Sequence, residues 1–202
     1  MKAIVIACNT ASALARESLQ PEVGVPLFGV VESGVAAGVA VAKSQRRLLV
    51  LATESTVRSE AYLKRFAQVD PSLGVEQLAC PLLVPLAEEG WFDHEVTQKV
   101  IQQYLLPIDL TAFDGMVLGC THFPLLEPSF RHVLPASLAL VHGAPVLAEE
   151  LAQFLAGSRL LNPQTEKGQL HLLTTDRISH RLPLLGDWLT HTTACDVVHL
   201  SP

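Results

Sequence analysis

The chain has 202 residues, of which 49% are hydrophobic and 17% are charged, and its formal net charge is -6. This composition is too apolar for a disordered chain and is typical of a sheet that helices cover on both faces. Because the net charge is negative and no block of Lys or Arg occurs, neither nucleic acid nor a membrane is expected as a partner.

Short apolar runs alternate with helical patterns along the whole chain. The pattern predicts strands at residues 3–7, 25–31, 47–52, 75–78, 115–118, 138–141, 170–173 and 197–200. It predicts helices at residues 12–19, 33–43, 56–66, 94–105, 125–132, 145–155 and 178–189, with Ser55 capping the third helix and Asp176 the last. Strands that alternate with helices favour an α/β fold with parallel sheets.

Residues 3–8 also resemble the start of a signal sequence, with Lys2 before an apolar run. The run is shorter than the ~7–15 residues of a signal sequence's apolar region and polar residues follow it at once, so it is interpreted as a core strand. A cytoplasmic protein with reduced thiols is therefore expected. The four cysteines, Cys8, Cys80, Cys120 and Cys195, lack CxxC spacing, and neither a disulfide framework nor a zinc site is predicted.

Two segments of the chain echo each other. Residues 3–10 and residues 115–122 each read as a buried strand that ends in a small residue, then a cysteine, then a polar turn containing Thr. The echo indicates two related α/β halves, each with a thiol at the carboxyl end of a strand, which is where open α/β sheets place their sites.

Two opposed thiols would suit a reaction that removes a proton from one face of a carbon and returns one to the other. Cysteine has a pKa of ~8.5, so that one partner can be a thiolate while the other stays protonated. Polar residues after each cysteine could hold the carboxylate and ammonium groups of a substrate: Asn9, Thr10, Thr121 and His122. The residues by themselves leave the reaction open, because a single cysteine at a strand end is more often a small buried hydrophobe.

The other candidate residues have simpler interpretations. Cys80 and Cys195 lack the polar turn and are expected in the core. Glu88 and Glu89 are adjacent carboxylates, for which a solvated pair is the default. His122 lies two residues from Cys120 and is expected to orient a carboxylate or to tune that thiol.

The two cysteine segments, residues 7–12 (ACNTAS) and 118–126 (LGCTHFPLL), together resemble glutamate racemases of the aspartate/glutamate racemase superfamily. Residues 53–63, 80–90 and 174–176 are similar to that family as well, so the resemblance covers essentially the whole chain. It implies that L- and D-glutamate are interconverted without pyridoxal phosphate or metal, which supplies D-glutamate for peptidoglycan. Glutamate is then the expected small-molecule partner, and a homodimer is an open option.

The resemblance also implies roles for individual residues. Cys8 would act on the D-enantiomer and Cys120 on the L-enantiomer, while Glu88, with Glu89 as a close rival, would assist near the histidine. Two pseudo-symmetric α/β domains are implied, the first from residues 1–31 and 143–202 and the second from residues 32–142. The substrate contacts carried over by position are Asn9, Thr10, Thr121 and His122.

Two features depart from the family pattern. The strand with an Asp-Ser-Gly turn and the later Pro-Tyr-Gly segment of the family have no counterpart, so the first domain is expected to be incomplete by about two strand–helix units. Val141-His142-Gly143 stands where the family usually has an Asp-containing turn. Three alternatives stay open: a catalytically impaired fragment acting as an interaction module, a racemase of another acidic amino acid such as aspartate, and a thiol redox pair, which the missing CxxC disfavours.

Overall fold

A computed structural model describes residues 1–164, 168–175 and 192–199, which divide into two units, residues 1–160 and 161–202. The first unit begins with strand β1 (Ile4–Ile6), helix α1 (Asn9–Leu19), a 3₁₀ turn (Gln20–Glu22), β2 (Leu27–Gly29) and α2 (Val30–Val41). It continues with β3 (Arg47–Ala52), α3 (Glu54–Ser59), α4 (Ala61–Val69), β4 (Gly74–Ala79), α5 (Leu83–Glu88) and α6 (Glu95–Leu105). It ends with a second 3₁₀ turn (Leu110–Ala112), β5 (Gly115–Gly119), a third 3₁₀ turn (Phe123–Leu126), α7 (Glu127–Val133), β6 (Ala139–Val141) and α8 (Ala144–Gly157). In the second unit, β7 (Leu170–Thr174) pairs with β8 (Thr192–Val197).

All described strand pairs are parallel, which confirms the predicted α/β class. The larger sheet has the order β4-β3-β5-β6, and β1 pairs with β2 in a separate two-stranded sheet. Ala52 at the end of β3 is in register with Ala79 of β4 and Gly119 of β5. The residues that follow these three strands therefore meet at one edge of the sheet, as parallel pairing requires.

The larger sheet separates two apolar clusters. Alternate residues of a strand point to opposite faces, so each of β3 and β5 contributes to both clusters. One cluster includes Leu49, Leu51, Met116 and Leu118, and the other includes Leu48, Val50 and Val117. Because both faces are covered, the central strands β3 and β5 are continuous apolar runs. These runs end at the carboxyl edge of the sheet.

Several predicted boundaries were wrong, for local reasons. The helix predicted at residues 56–66 is two helices, because Glu60 adopts a left-handed conformation with φ 57° between α3 and α4. Thr53, and not Ser55, caps α3, since its side chain accepts a hydrogen bond from the Thr56 N–H. The strand predicted at residues 25–31 ends at Gly29, and α2 begins directly after it.

Further differences lie near prolines and in the second unit. The helix predicted at residues 125–132 begins as a 3₁₀ turn and becomes α-helical only at Glu127. Helix α5 (Leu83–Glu88) was not predicted, and the last strand lies at Thr192–Val197 instead of residues 197–200. The helix predicted at residues 178–189 and its cap Asp176 lie outside the described residues. Within the described ranges, no helix combines the length and apolarity needed to cross a bilayer.

Candidate active site

Cys8, the first of the two cysteines predicted to be catalytic, lies between β1 and α1. Cys8 has an extended backbone, and its carbonyl accepts a 2.8 Å hydrogen bond from the Ser12 N–H, so it is the N-cap residue of α1. The thiol is exposed. Since the first N–H groups of a helix have no partners within the helix and carry its positive dipole end, a negative charge is favoured here.

The two residues after Cys8 are tied to other elements. The Asn9 side chain is buried and its Oδ1 accepts a hydrogen bond from the Tyr62 hydroxyl. The Thr10 hydroxyl lies 2.9 Å from that of Thr53 and 3.0 Å from that of Thr56. Thr53 follows the end of β3, so these hydroxyl contacts hold the first cysteine motif against the edge of the larger sheet.

Cys120, the second cysteine predicted to be catalytic, follows β5 at the same edge of the larger sheet. Cys120 is only 5% exposed, and this burial is the main cause that raises the pKa of its thiol. Hydrogen bonds from the backbone N–H groups of His122 and Phe123 act in the opposite direction. The charge of Cys8 raises the Cys120 pKa further, which means that the two thiols are near enough to interact. Cys8 and Cys120, at the carboxyl ends of β1 and β5, therefore lie within electrostatic range of each other.

His122 connects Cys120 to a carboxylate. Its Nδ1 lies 3.7 Å from the Cys120 Sγ, and its Nε2 lies 3.5 Å from Oε1 of Glu88. About one third of each of the His122 and Glu88 side chains is exposed. Glu89, the predicted rival of Glu88, is exposed at the C-terminal end of α5. Thr121 is also exposed, on the turn between Cys120 and His122.

The remaining cysteines differ from one another. Cys80 is fully buried, as predicted, and burial raises the pKa of its thiol to about 12, which makes it unreactive. The expectation of a core position was wrong for Cys195, which is exposed on β8. Among the described strands, β8 pairs only with β7.

His142 follows β6, the remaining strand of the larger sheet, and stands at the departure from the family pattern. It is half-buried, and this burial lowers its pKa, so the neutral imidazole is favoured. No cluster of three or more metal-ligating side chains occurs in the described ranges.

Sequence reasoning missed three residues that contact the first cysteine motif: Thr53, Thr56 and Tyr62. Thr53 carried a usable signal, because it follows a buried strand as the two cysteines do. Thr56 and Tyr62 lie within a helical pattern, and the only signal there was the resemblance of residues 53–63 to the family, which does not single out either residue. Both are fully buried, a position that a helical period by itself does not distinguish from core packing.

Comparison with known proteins identifies the family of the chain. Residues 1–151 match the Asp/Glu/Hydantoin racemase family. The chain belongs to this family. Over 176 residues, or 87% of its length, this racemase-family chain is 42% identical to glutamate racemase from Geobacter metallireducens, of which it spans 65%. This relative is a glutamate racemase, and glutamate racemases are isomerases.

Solved structures extend the likeness to the fold. The chain superposes on glutamate racemase isoform RacE1 from Bacillus anthracis with a TM-score of 0.90 and 31% identity, covering 99% of this chain and 74% of that one. Glutamate racemase from Francisella tularensis in complex with D-glutamate gives a TM-score of 0.88 at 27% identity, covering 98% and 74%.

Proposed function

We propose that this chain interconverts L- and D-glutamate, with Cys8 and Cys120 as the two acid/base groups. The observation that carries the proposal is geometric: Thr10, two residues after Cys8, contacts Thr53 at the sheet edge where Cys120 follows β5. The charge of Cys8 also raises the pKa of Cys120, and the chain is similar to a glutamate racemase. Binding of D-glutamate by the Francisella tularensis relative supports glutamate as the substrate.

In the D-to-L direction the Cys8 thiolate removes the proton from Cα, and the electron pair of the broken C–H bond is delocalised into the carboxylate. The Cys120 thiol then donates its proton to the opposite face of Cα, which gives the L-enantiomer. Cys8 is left as a thiol and Cys120 as a thiolate, and proton exchange with solvent restores the starting state. Burial suits Cys120 to the donor role, because it raises the pKa of that thiol.

The L-to-D direction begins with Cys120 as the thiolate base. His122 lies beside this sulfur, and Glu88 lies on the other side of the imidazole. A positively charged His122 would stabilise the Cys120 thiolate, and the Glu88 carboxylate would stabilise that positive charge. Asn9, Thr10 and Thr121 would hold the substrate's carboxylate and ammonium groups, and the N-terminus of α1 favours a negative charge beside Cys8.

D-Glutamate made in this way would supply peptidoglycan synthesis. This role, the cytoplasmic location, the homodimer and the domain limits given above stay predictions.

The decisive experiment follows deuterium at Cα by proton NMR, in D₂O, with L- or D-glutamate. The unsubstituted chain should exchange the Cα proton of both enantiomers, and circular dichroism should show the optical signal approaching zero. Cys8→Ser and Cys120→Ala should each abolish racemisation, because inversion needs one base on each face of Cα. Matched controls are Cys195→Ser, an exposed thiol, and Cys80→Ala, a buried one; both should keep the activity.

Other outcomes would decide against parts of the proposal. Exchange with aspartate but not with glutamate would keep the reaction and change the substrate. Absence of exchange with either amino acid would overturn the enzymatic function and favour the interaction module. Loss of free thiols under mild oxidation, with no exchange at Cα, would favour the redox pair.

A further inference from the structure

Tyr62, on α4, is held in a slot that two glycines leave open. A Cβ atom on Gly34 would come within 2.5 Å of the Tyr62 hydroxyl oxygen, and one on Gly119 would come within 3.0 Å of its ring. Any residue other than glycine at these two positions would place its Cβ atom too close to the phenol. Gly119 directly precedes Cys120, so the ring packs against the backbone that carries the second cysteine.

The hydroxyl of the same side chain contacts the first cysteine motif. It donates a 2.7 Å hydrogen bond to Oδ1 of Asn9, which is 4% exposed and directly follows Cys8. Burial, together with the negative charge of Glu32, raises the pKa of Tyr62 far above its ordinary value. The phenol consequently keeps its proton and acts as the donor in this hydrogen bond.

A donor at this position selects one of the two orientations of the Asn9 carboxamide. The oxygen of a carboxamide only accepts hydrogen bonds and its nitrogen only donates them, so Oδ1 faces Tyr62 and Nδ2 faces the other way. Only Nδ2 can donate to a carboxylate. Without the phenol hydroxyl, the carboxamide could turn by about 180° and present its oxygen to the substrate, which would repel a carboxylate.

We infer that Tyr62 is a positioning residue, which fixes the Asn9 carboxamide so that its N–H groups receive a carboxylate of the substrate between the two cysteines. This inference rests on the proposed function, since it concerns how glutamate is held. Tyr62 touches Asn9 beside one cysteine and Gly119 beside the other. Tyr62 thereby connects the Asn9 carboxamide to the backbone beside both Cys8 and Cys120.

The first test uses no substrate. The sequence contains two asparagines, Asn9 and Asn162, and two tyrosines, Tyr62 and Tyr104, so each has an internal reference. In the chain labelled with ¹⁵N at asparagine, Tyr62→Phe should shift or broaden the side-chain NH₂ resonances of Asn9 and leave those of Asn162 unchanged. The matched control Tyr104→Phe removes a hydroxyl that accepts a hydrogen bond from the Leu82 N–H, and it should leave both pairs unchanged.

The second test measures kinetics. Tyr62→Phe should raise KM for glutamate about tenfold, the scale of one lost hydrogen bond, and change kcat by less than about threefold, because the loss affects substrate binding. In an Asn9→Ala background the same substitution should leave KM unchanged, since the carboxamide through which it acts is gone. If Tyr62 only supported the fold, Tyr62→Phe would raise KM equally in both backgrounds.

Two results would overturn the inference: unmoved Asn9 resonances in Tyr62→Phe, or an equal rise of KM in both backgrounds. A thermal unfolding curve for each variant separates loss of fold from loss of positioning. If the unsubstituted chain neither exchanges nor binds glutamate, the proposed function falls, and the Asn9 resonances still decide whether Tyr62 orients the carboxamide.

Discussion

Replacing Gly119 by Ala tests the close packing behind the second cysteine. A Cβ atom at this position would lie 3.0 Å from the Tyr62 ring, 3.1 Å from the Leu51 carbonyl oxygen and 3.2 Å from a methyl group of Val50. The Leu51 oxygen belongs to the backbone of the neighbouring strand, so the three contacts cannot all relax by side-chain rotation.

The expected cost follows from these contacts. Overpacking of a core costs about 1–3 kcal/mol. Replacing a strand glycine by alanine returns about 0.5–1 kcal/mol, because the unfolded chain loses conformational freedom. The net loss in the free energy of unfolding should therefore lie between about 0 and 2.5 kcal/mol, with a midpoint near 1 kcal/mol. The same displacement moves Cys120 and the Tyr62 ring, and it should reduce Cα exchange by tenfold or more, since small misplacements at a reacting centre are costly.

Urea unfolding with linear extrapolation measures the first quantity, and deuterium exchange measures the second. Gly74→Ala is the matched control, because Gly74 also lies at a strand end but is exposed, and its nearest neighbour is the flexible side chain of Arg47. This control should not be destabilised. A Gly119→Ala chain that is more stable than the unsubstituted chain by about 0.5–1 kcal/mol, the gain expected if the new Cβ met no close contact, would refute the packing argument.

Two further predictions concern the charges around Cys120. Burial raises the pKa of this thiol, so the form with one thiol and one thiolate should persist to high pH, and kcat/KM in both directions should begin to fall only above the ordinary cysteine value of about 8.5. A decrease in kcat/KM with rising pH that begins below this value would contradict the prediction. Glu88→Gln should lower kcat by about tenfold because His122 loses its charged neighbour, whereas the exposed Glu89→Gln should not; equal kcat values for the two variants would remove Glu88 from the site.

The sequence by itself determined the α/β class and the family. Both depend on local order: buried strands are continuous apolar runs, helices repeat every 3.6 residues, and each cysteine is followed directly by its polar turn. Strand β3 was predicted at its observed limits because both of its faces are covered, which leaves an unbroken apolar signal. The break at Glu60 was missed, since a left-handed residue other than glycine leaves no mark in the hydrophobic pattern.

Only the tertiary structure shows which of these side chains lie beside one another. It distinguishes Glu88 from Glu89, which have the same side chain and adjacent positions, because only one of them lies beside His122. It also brings Tyr62 to Asn9 across 53 residues and Thr10 to Thr53 across 43. Such contacts depend on the register of parallel strands and on the packing of α1 against α3 and α4, and no local pattern records them. The burial of Cys120, which is the main cause that raises its pKa, has the same origin, because it depends on what covers the sheet edge.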